Sequence, residues 1–314
     1  MNALANFGVD LDNLESQLGT PQVPVVKGRV AHIDADFMAY IVSADTRAEQ
    51  DGLKAMRNLP HKFGQIKEFA AYLTRLVGAE KSVLHVTPHG SNKGNRPDQA
   101  VQAEYQANRK GKAAPEHLIP IRSFIIDECQ GVPHMDQEAD DGLVQAMYAD
   151  PINSVIVSDD KDLLMAPGLH YVPNSKEWHD VGWDDFGKLW IDDSGSQKKV
   201  RGYGPLFFFF QLLMGDSADN IKGLPLAAGK TKAVKVGQMK ALELISGVDN
   251  VKDAFSHVRT LFNTAQDEHE HVFKHWKTGE VVTPNQALMG DMQTLWMRRS
   301  RNPKDVIQFL KENM

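Results

Sequence analysis

Val30-Ala31-His32-Ile33-Asp34-Ala35-Asp36 is an apolar run that ends in two carboxylates. Val30 to Ile33 reads as a short buried strand. The run that follows it, with Ile66, Phe69, Ala70, Leu73, Leu76 and Val77 at helical spacing, reads as a helix. Ser82 to Val86 gives a second strand candidate. Asn153 to Val157 gives a third, bounded by Pro151 and by the acidic corner Ser158-Asp159-Asp160. Between these two lies Ala139 to Tyr148, with Leu143, Val144 and Met147 on one helical stripe. Strands alternating with helices specify an α/β fold with a mainly parallel sheet, whose ligand site lies at the carboxyl ends of its strands. The acids after the first and third strands fall at those ends.

The 314 residues can bury a substantial core, and 42% hydrophobic with 24% charged residues excludes a disordered chain. A single cysteine, Cys129, excludes an internal disulfide and a thiolate metal cluster and suits a reducing compartment, so a cytoplasmic location is expected. No basic start followed by an apolar stretch suggests export. The most apolar run, Leu206 to Met214, is about half of the roughly 20 residues that span a bilayer and reads as a buried helix, so no membrane partner is expected. Residues 1–28, with Gly19, Pro21, Pro24 and Gly28, read as an N-terminal arm. After Gly204 helical patterns take over to the end.

Net charge is −6, which by itself speaks against a nucleic-acid partner. The charge is segregated, however. His134 to Asp162 holds eight acids against Lys161 alone, whereas Ile221 to Lys240 holds Lys222, Lys230, Lys232, Lys235 and Lys240 and no acid. Such a chain can grip a polyanion at one place and bind cations at another.

Four acidic segments carry the chemistry: Asp34 and Asp36; Glu138-Ala139-Asp140-Asp141; Asp159-Asp160-Lys161-Asp162; and Gly215-Asp216-Ser217-Ala218-Asp219-Asn220. Each alone reads as a turn or a helix cap. Gathered in one cleft they would repel and raise one another's pKa unless cations neutralised them. Oxygen-only ligands favour Mg²⁺ or Mn²⁺, and a pair of ions about 4 Å apart would activate water for displacement at a phosphodiester. Histidine and cysteine do not accompany the acids at zinc-ligand spacing. Basic residues Lys93, Arg96, Arg109, Lys110 and Lys112, with Tyr105 four residues before Arg109, suit phosphate contact and base stacking from a long connection. Gly223 and Gly237 lead toward helix-like sequence and would present backbone N–H groups to phosphate beside Lys222, Lys235 and Lys240. Gly229-Lys230-Thr231 ends like a nucleotide-binding loop, but Leu224 stands where that motif needs its first glycine.

In order and spacing, these segments resemble the 5′-nuclease family of flap endonucleases and phage 5′→3′ exonucleases, the stand-alone phage type in particular, from about Val30 to Ile245. Ile33-Asp34 is similar to the family's first metal aspartate, Glu138-Ala139-Asp140-Asp141 to its acidic helix and Asp160-Lys161-Asp162 to its acidic corner. Gly215 to Ile221, followed by Gly223 and Pro225, is similar to its most specific motif. The resemblance implies a PIN-like α/β core over 29–203, including a helical arch over about 90–118. It also implies a helical DNA-binding portion over 204–314, with a helix-three-turn-helix over about 215–246. It implies Asp34, Glu138, Asp140 and Asp141 around one metal region and Asp160, Asp162, Asp216 and Asp219 around the other, with K⁺ as a further ion. Arg109 and Lys110 would steer the scissile phosphate, Tyr105 would stack on a terminal base, and Lys93, Arg96, Lys222, Gly223, Lys235, Gly237 and Lys240 would contact DNA. The expected substrate is duplex DNA with a 5′ end or flap, with RNA–DNA hybrid as a further one. The protein would act as a monomer, in a host cytoplasm if phage-encoded. Two features depart from the family: Pro88, His89 and Gly90 follow the second strand where another aspartate is usual, and Leu226 to Val236 lengthens the DNA-binding turn.

Two other readings stand beside this one. Asp34-Ala35-Asp36 with Asp216 and Asp219 superficially fits a haloacid-dehalogenase-type phosphatase, although Met38 stands where Thr or Val is usual and the Glu138 helix is left unused. The missing aspartate alternatively suits a DNA-junction-binding protein with a degraded metal site.

Overall fold

The computed structural model describes residues 23–44, 59–227, 233–268 and 270–314; most of the expected arm, together with Gly229, Lys230 and Lys232, lies outside them. In chain order the elements are β1 (Val30–Asp34), α1 (Ala35–Ala44), α2 (Leu59–Leu76), β2 (Lys81–Val86), α3 (Arg96–Gln99), α4 (Leu118–Asp127), β3 (Val132–Pro133), α5 (Ala139–Ala149), β4 (Ser154–Val157), β5 (Gly168–Val172) and β6 (Glu177–Val181). There follow β7 (Lys188–Asp192), β8 (Lys199–Tyr203), α6 (Gly204–Met214), β9 (Pro225–Ala227), β10 (Ala233–Lys235), α7 (Gln238–Ile245), α8 (Val251–Asp267), α9 (Pro284–Leu295) and α10 (Asp305–Asn313). The three expected strands and the helices α2, α5, α6 and α7 form where the sequence places them. The sheet also includes β3, β5 and β6, which periodicity does not reveal. Among the described residues no helix is long and apolar enough to cross a membrane.

The six-stranded sheet runs β3-β2-β1-β4-β5-β6. The pairs β3/β2, β2/β1, β1/β4 and β4/β5 are all parallel. Strand order reverses between β1 and β4, which makes the carboxyl ends of those two strands the crevice in which an open α/β sheet takes its ligand. Ala31 and Ile33 point into a core with Met38, Ile66, Phe69, Leu73, Ile121, Ile125 and Val157. Strand alternation turns His32 and Asp34 to the opposite face.

The chain divides into two compact units: the described residues up to Gly94 with Ala113–Leu163 and Gly168–Asp180, and Asn95–Lys112 with Leu164–Pro167 and Val181–Met314. The boundary therefore falls near 180 rather than 203, and the segment 95–112 belongs to the second unit. Two packing facts account for this. β7 and β8 pair with each other in a separate antiparallel ribbon, with Val200 buried in the second unit's own core. Arg96, only 1% exposed, donates from Nε to the Thr294 carbonyl at 3.1 Å and from Nη2 to the Trp296 carbonyl at 2.8 Å. That second core is organised on α6, whose Phe207, Phe208, Phe209 and Phe210 are all buried. A helix apolar on every side must be surrounded, here with help from α7, α8 and α9.

The expected helical arch is not a long helix. Residues 90–118 contain only α3 and single tight turns at Lys93–Asn95 and Ala107–Arg109. Positive φ angles at Lys93, Gly94, Asn95, Gln106 and Gly111 interrupt any helical run. Where a helix-three-turn-helix is expected, the antiparallel pair β9/β10 lies between α6 and α7.

Candidate active site

The first unit holds six of the expected carboxylates, Asp34, Glu138, Asp140, Asp141, Asp160 and Asp162, on or beside the carboxyl ends of β1 and β4. Asp34, 5% exposed, closes β1 and caps α1, its Oδ1 accepting from the Asp36 N–H at 3.0 Å. Its Oδ2 accepts from Ser158 Oγ at 2.9 Å, which ties the ends of β1 and β4 together. Burial, then the neighbouring Asp36 charge, pushes the Asp34 carboxyl up to about 7. Ser158 Oγ also accepts from the Asp160 N–H at 3.0 Å, and Asp160 Oδ1 accepts from the Asp162 N–H at 2.8 Å, so the corner after β4 is a chain of local caps. Burial, then Asp162, pushes Asp160 up to about 8 against the opposing Lys161. Asp162 is buried and accepts from Lys161 Nζ at 2.6 Å.

Glu138 is the N-cap residue of α5, and Asp140 and Asp141 stand in its first turn. Asp140 lies well above the usual carboxylate range, first through burial and then through Asp34, Asp160, Glu138 and Asp36. That set of neighbours brings the first three acidic segments of the sequence to one place. Asp141, fully buried, sits one position further round the helix.

Asp36, grouped with Asp34 in the sequence, has a structural task. Arg122 Nε lies 3.0 Å from its Oδ1, and the Thr87 N–H donates to its Oδ2 at 3.1 Å. Thr87 Oγ1 in turn accepts from the Ala139 N–H at 2.9 Å, filling one of the free donors at the start of α5.

Beside the acids runs a chain of histidines, half-buried at His32 and buried at His85 and His134, that sequence reasoning missed. His32 Nδ1 and His85 Nε2 are 3.1 Å apart, His85 Nδ1 and His134 Nε2 are 3.0 Å apart, and Gln137 Nε2 reaches His134 Nδ1 at 3.1 Å. Burial drives His32 down to about 4 and His85 to about 3, so these rings are neutral at pH 7. A neutral imidazole donates once and accepts once, so with Gln137 donating to His134, His134 donates to His85 and His85 to His32. Gly142 is required beside this chain, because a Cβ there would collide with the His134 ring.

The second unit carries the fourth acidic segment. Gly215 ends α6 at φ 73°, where a Cβ would meet the Ile221 and Lys222 carbonyl oxygens at 2.5 and 2.6 Å. Asp216 and Ile221 exchange backbone hydrogen bonds of 3.0 and 2.7 Å, closing the loop that contains Asp219. Asp216 is buried, and Asp219 bonds to Tyr105, Gln106 and Arg109.

Several expected DNA contacts are placed otherwise. Arg96 is spent on two buried carbonyls. Tyr105, 7% exposed, donates its hydroxyl to Asp219 and offers no free ring face. Gly223 is buried and its N–H donates to Asp291 Oδ2 at 3.0 Å, which removes it as a phosphate donor. Burial pushes the Asp291 carboxyl up to about 7. Lys93 is half-buried, while Lys222, Lys235, Gly237 and Lys240 are exposed. Lys110 pairs with Glu104 at 2.6 Å and Lys240 with Glu243.

Among the described residues no three His, Cys, Asp or Glu side chains form a ready-made coordination group. In the first unit, burial and one another's charge keep the carboxyl groups from ionising, and a hard divalent ion bound among their oxygens would favour the ionised form.

No protein-family model matches the chain, and no curated protein matches it by sequence. Among solved structures it is similar to that of T5 D15 protein co-crystallized with metal ions, at a TM-score of 0.43 and 12% identity, covering 90% of this chain and 97% of that one.

Proposed function

We propose that this protein is a divalent-metal-dependent, structure-selective 5′→3′ exonuclease and flap endonuclease that hydrolyses DNA phosphodiester bonds. RNA in RNA–DNA hybrids would be a second substrate. The observation that carries this reading is the convergence of Asp34, Glu138, Asp140 and Asp160 at the switch point of a parallel sheet, with Asp34, Asp140 and Asp160 held above their ordinary pKa. Those carboxylates, with Asp141 and Asp162, would hold Mg²⁺ or Mn²⁺, which when bound supplies Lewis-acid activation of water and of the phosphoryl group. The residues themselves orient the site: Ser158 fixes Asp34, the Asp162 N–H fixes Asp160, and Thr87 fixes the first turn of α5. Asp216 is proposed as a further metal ligand, K⁺ to bind near the 215–246 turn, and Lys222, Lys235 and Lys240 to contact the DNA backbone. The protein would work as a cytoplasmic monomer.

A haloacid-dehalogenase-type reading needs a free second carboxylate two residues after the first. Asp36 is instead committed to Arg122 and to the Thr87 N–H.

The test uses 5′-labelled duplex, 5′-flap and RNA–DNA hybrid substrates with Mg²⁺ or EDTA, and product sizes are read on a gel. We expect Mg²⁺-dependent release from the 5′ end or flap, abolished in Asp160→Asn with duplex binding retained. Undiminished cleavage by that variant removes the mechanism, and phosphate release from a small phosphomonoester without DNA cleavage favours the phosphatase.

A further inference from the structure

The resemblance makes Asp219 a metal ligand, but its surroundings give it another occupation. Oδ1 accepts from Gln106 Nε2 at 2.9 Å and from Arg109 Nη2 at 2.9 Å, while Oδ2 accepts from the Tyr105 hydroxyl at 3.1 Å. The backbone repeats the attachment. The Gln106 N–H donates to the Asp219 carbonyl at 2.9 Å, Asn108 Nδ2 donates to the Ser217 and Ala218 carbonyls at 2.6 and 3.0 Å, and Asn220 Nδ2 donates to the Glu104 carbonyl at 2.8 Å. Gln106 and Asn220 both hold positive φ angles, 55° and 60°, a backbone conformation that needs such fixing. The two stretches, 104–109 and 217–220, lie in the same compact unit.

A carboxylate has about four lone-pair sites, and here protein donors take three of them. Its charge is already answered by Arg109, whose side chain is 58% exposed. A guanidinium recognises a carboxylate and a phosphate with the same planar fork, so the anion now on Arg109 has the shape and charge of the one a nucleic-acid backbone would bring.

We propose that Asp219 is a positioning residue. It docks the segment 104–110 and occupies Arg109 in place of a backbone phosphate, which displaces it when substrate binds. Only the identity of the displacing anion rests on the nuclease reading. The docking itself does not.

Two substitutions separate the parts. Asp219→Asn keeps the shape and one oxygen acceptor but removes the charge that competes with phosphate. Asp219→Ala removes both. Binding of a 5′-flap duplex would be measured in Ca²⁺, Mn²⁺ stoichiometry by electron paramagnetic resonance, and tryptic cleavage after the exposed Arg109, Lys110 and Lys112 by mass spectrometry, all on the full chain. We expect Asp219→Asn to bind the duplex about threefold more tightly, the scale of an exposed ion pair, with wild-type Mn²⁺ stoichiometry. The gain should vanish when Arg109→Gln is added, which a merely structural role for Asp219 would not produce. Asp219→Ala should be cut roughly tenfold faster at 109–112. As a control with Asp219 intact, Asn108→Ala should also be cut faster. Loss of an Mn²⁺ site in Asp219→Asn, weaker duplex binding by that variant, or wild-type cleavage in Asp219→Ala each overturns the proposal. If the wild type binds neither Mn²⁺ nor duplex, the nuclease reading fails, and the tryptic rates alone decide the docking role.

Discussion

Replacing Asp160 by Asn should stabilise the metal-free protein at pH 8 and do so much less at pH 5. Asp160 is pushed up to about 8 by burial and by Asp162, well above its ordinary 3.8. An acid whose folded pKa is raised binds protons more tightly in the folded state than in the unfolded one, so stability falls as pH climbs through that interval. Below the unfolded pKa the group costs nothing; by the folded pKa the full penalty is present. At about 1.4 kcal/mol per pH unit, an isolated group of this kind would remove about 4 kcal/mol between pH 5 and pH 8. Asp34 and Asp140 share the site and titrate with it, so removing one charge lets neighbours ionise in its place, and a net gain of about 1–2 kcal/mol is expected. For a chain of this length that is about 2–4 °C in Tm. The assay is differential scanning fluorimetry in EDTA at both pH values, repeated at pH 8 with Mg²⁺. The cation should raise the wild-type Tm at pH 8 and the variant's less. An Asp160→Asn variant less stable than wild type at pH 8, or one with the same increment at both pH values, would refute the argument from buried, mutually repelling carboxyls.

Three further outcomes follow from the packing. Gly142→Ala should destabilise by about 2 kcal/mol in urea unfolding, because its methyl meets the His134 ring, and Gly142→Ala with His134→Ala should recover part of that loss. Arg96→Met should cost about 3 kcal/mol by leaving two buried carbonyls without donors, while the folded fraction keeps wild-type affinity for DNA in a filter-binding assay, since this arginine faces Thr294 and Trp296 rather than solvent. Asn250→Ala should lower Tm by the equivalent of about 1 kcal/mol, because its side chain accepts the Asp253 N–H at the start of α8.

The parts of the fold and site that were legible are those written locally. A short apolar strand followed at once by an acid can be read from a few residues, so β1, β4 and the start of α5 gave both the sheet class and the positions of Asp34, Glu138, Asp140 and Asp160. β9 and β10 are three residues each, too short for alternation to show, so this antiparallel pair reads as a loop in the sequence. Tyr105 and Arg109 were paired by helical spacing. They do meet, yet through a tight turn and a shared carboxylate 110 residues from Arg109, which no spacing rule within the segment could supply. Arg96 looked like a phosphate contact because a lone arginine in a Gly- and Pro-marked connection gives no sign that residues about 200 positions away will bury it.

The resemblance to 5′-nucleases leads to an acid being expected just after β2, but Pro88, His89 and Gly90 stand there, and the preceding Thr87 links the neighbouring elements by hydrogen bonds. Thr87 gives its N–H to Asp36 and takes the Ala139 N–H on its hydroxyl, so the end of β2 braces both α1 and the first turn of α5. His85, on β2 two residues before Thr87, is in register with Asp34 and is linked to His32 on one side and through His134 to Gln137, next to Glu138, on the other. A further carboxylate just after β2 would add charge to a cluster in which Asp34, Asp140 and Asp160 already resist ionisation. The histidine links between β1, β2 and the approach to α5 run through neutral rings, which add no charge beside the acids.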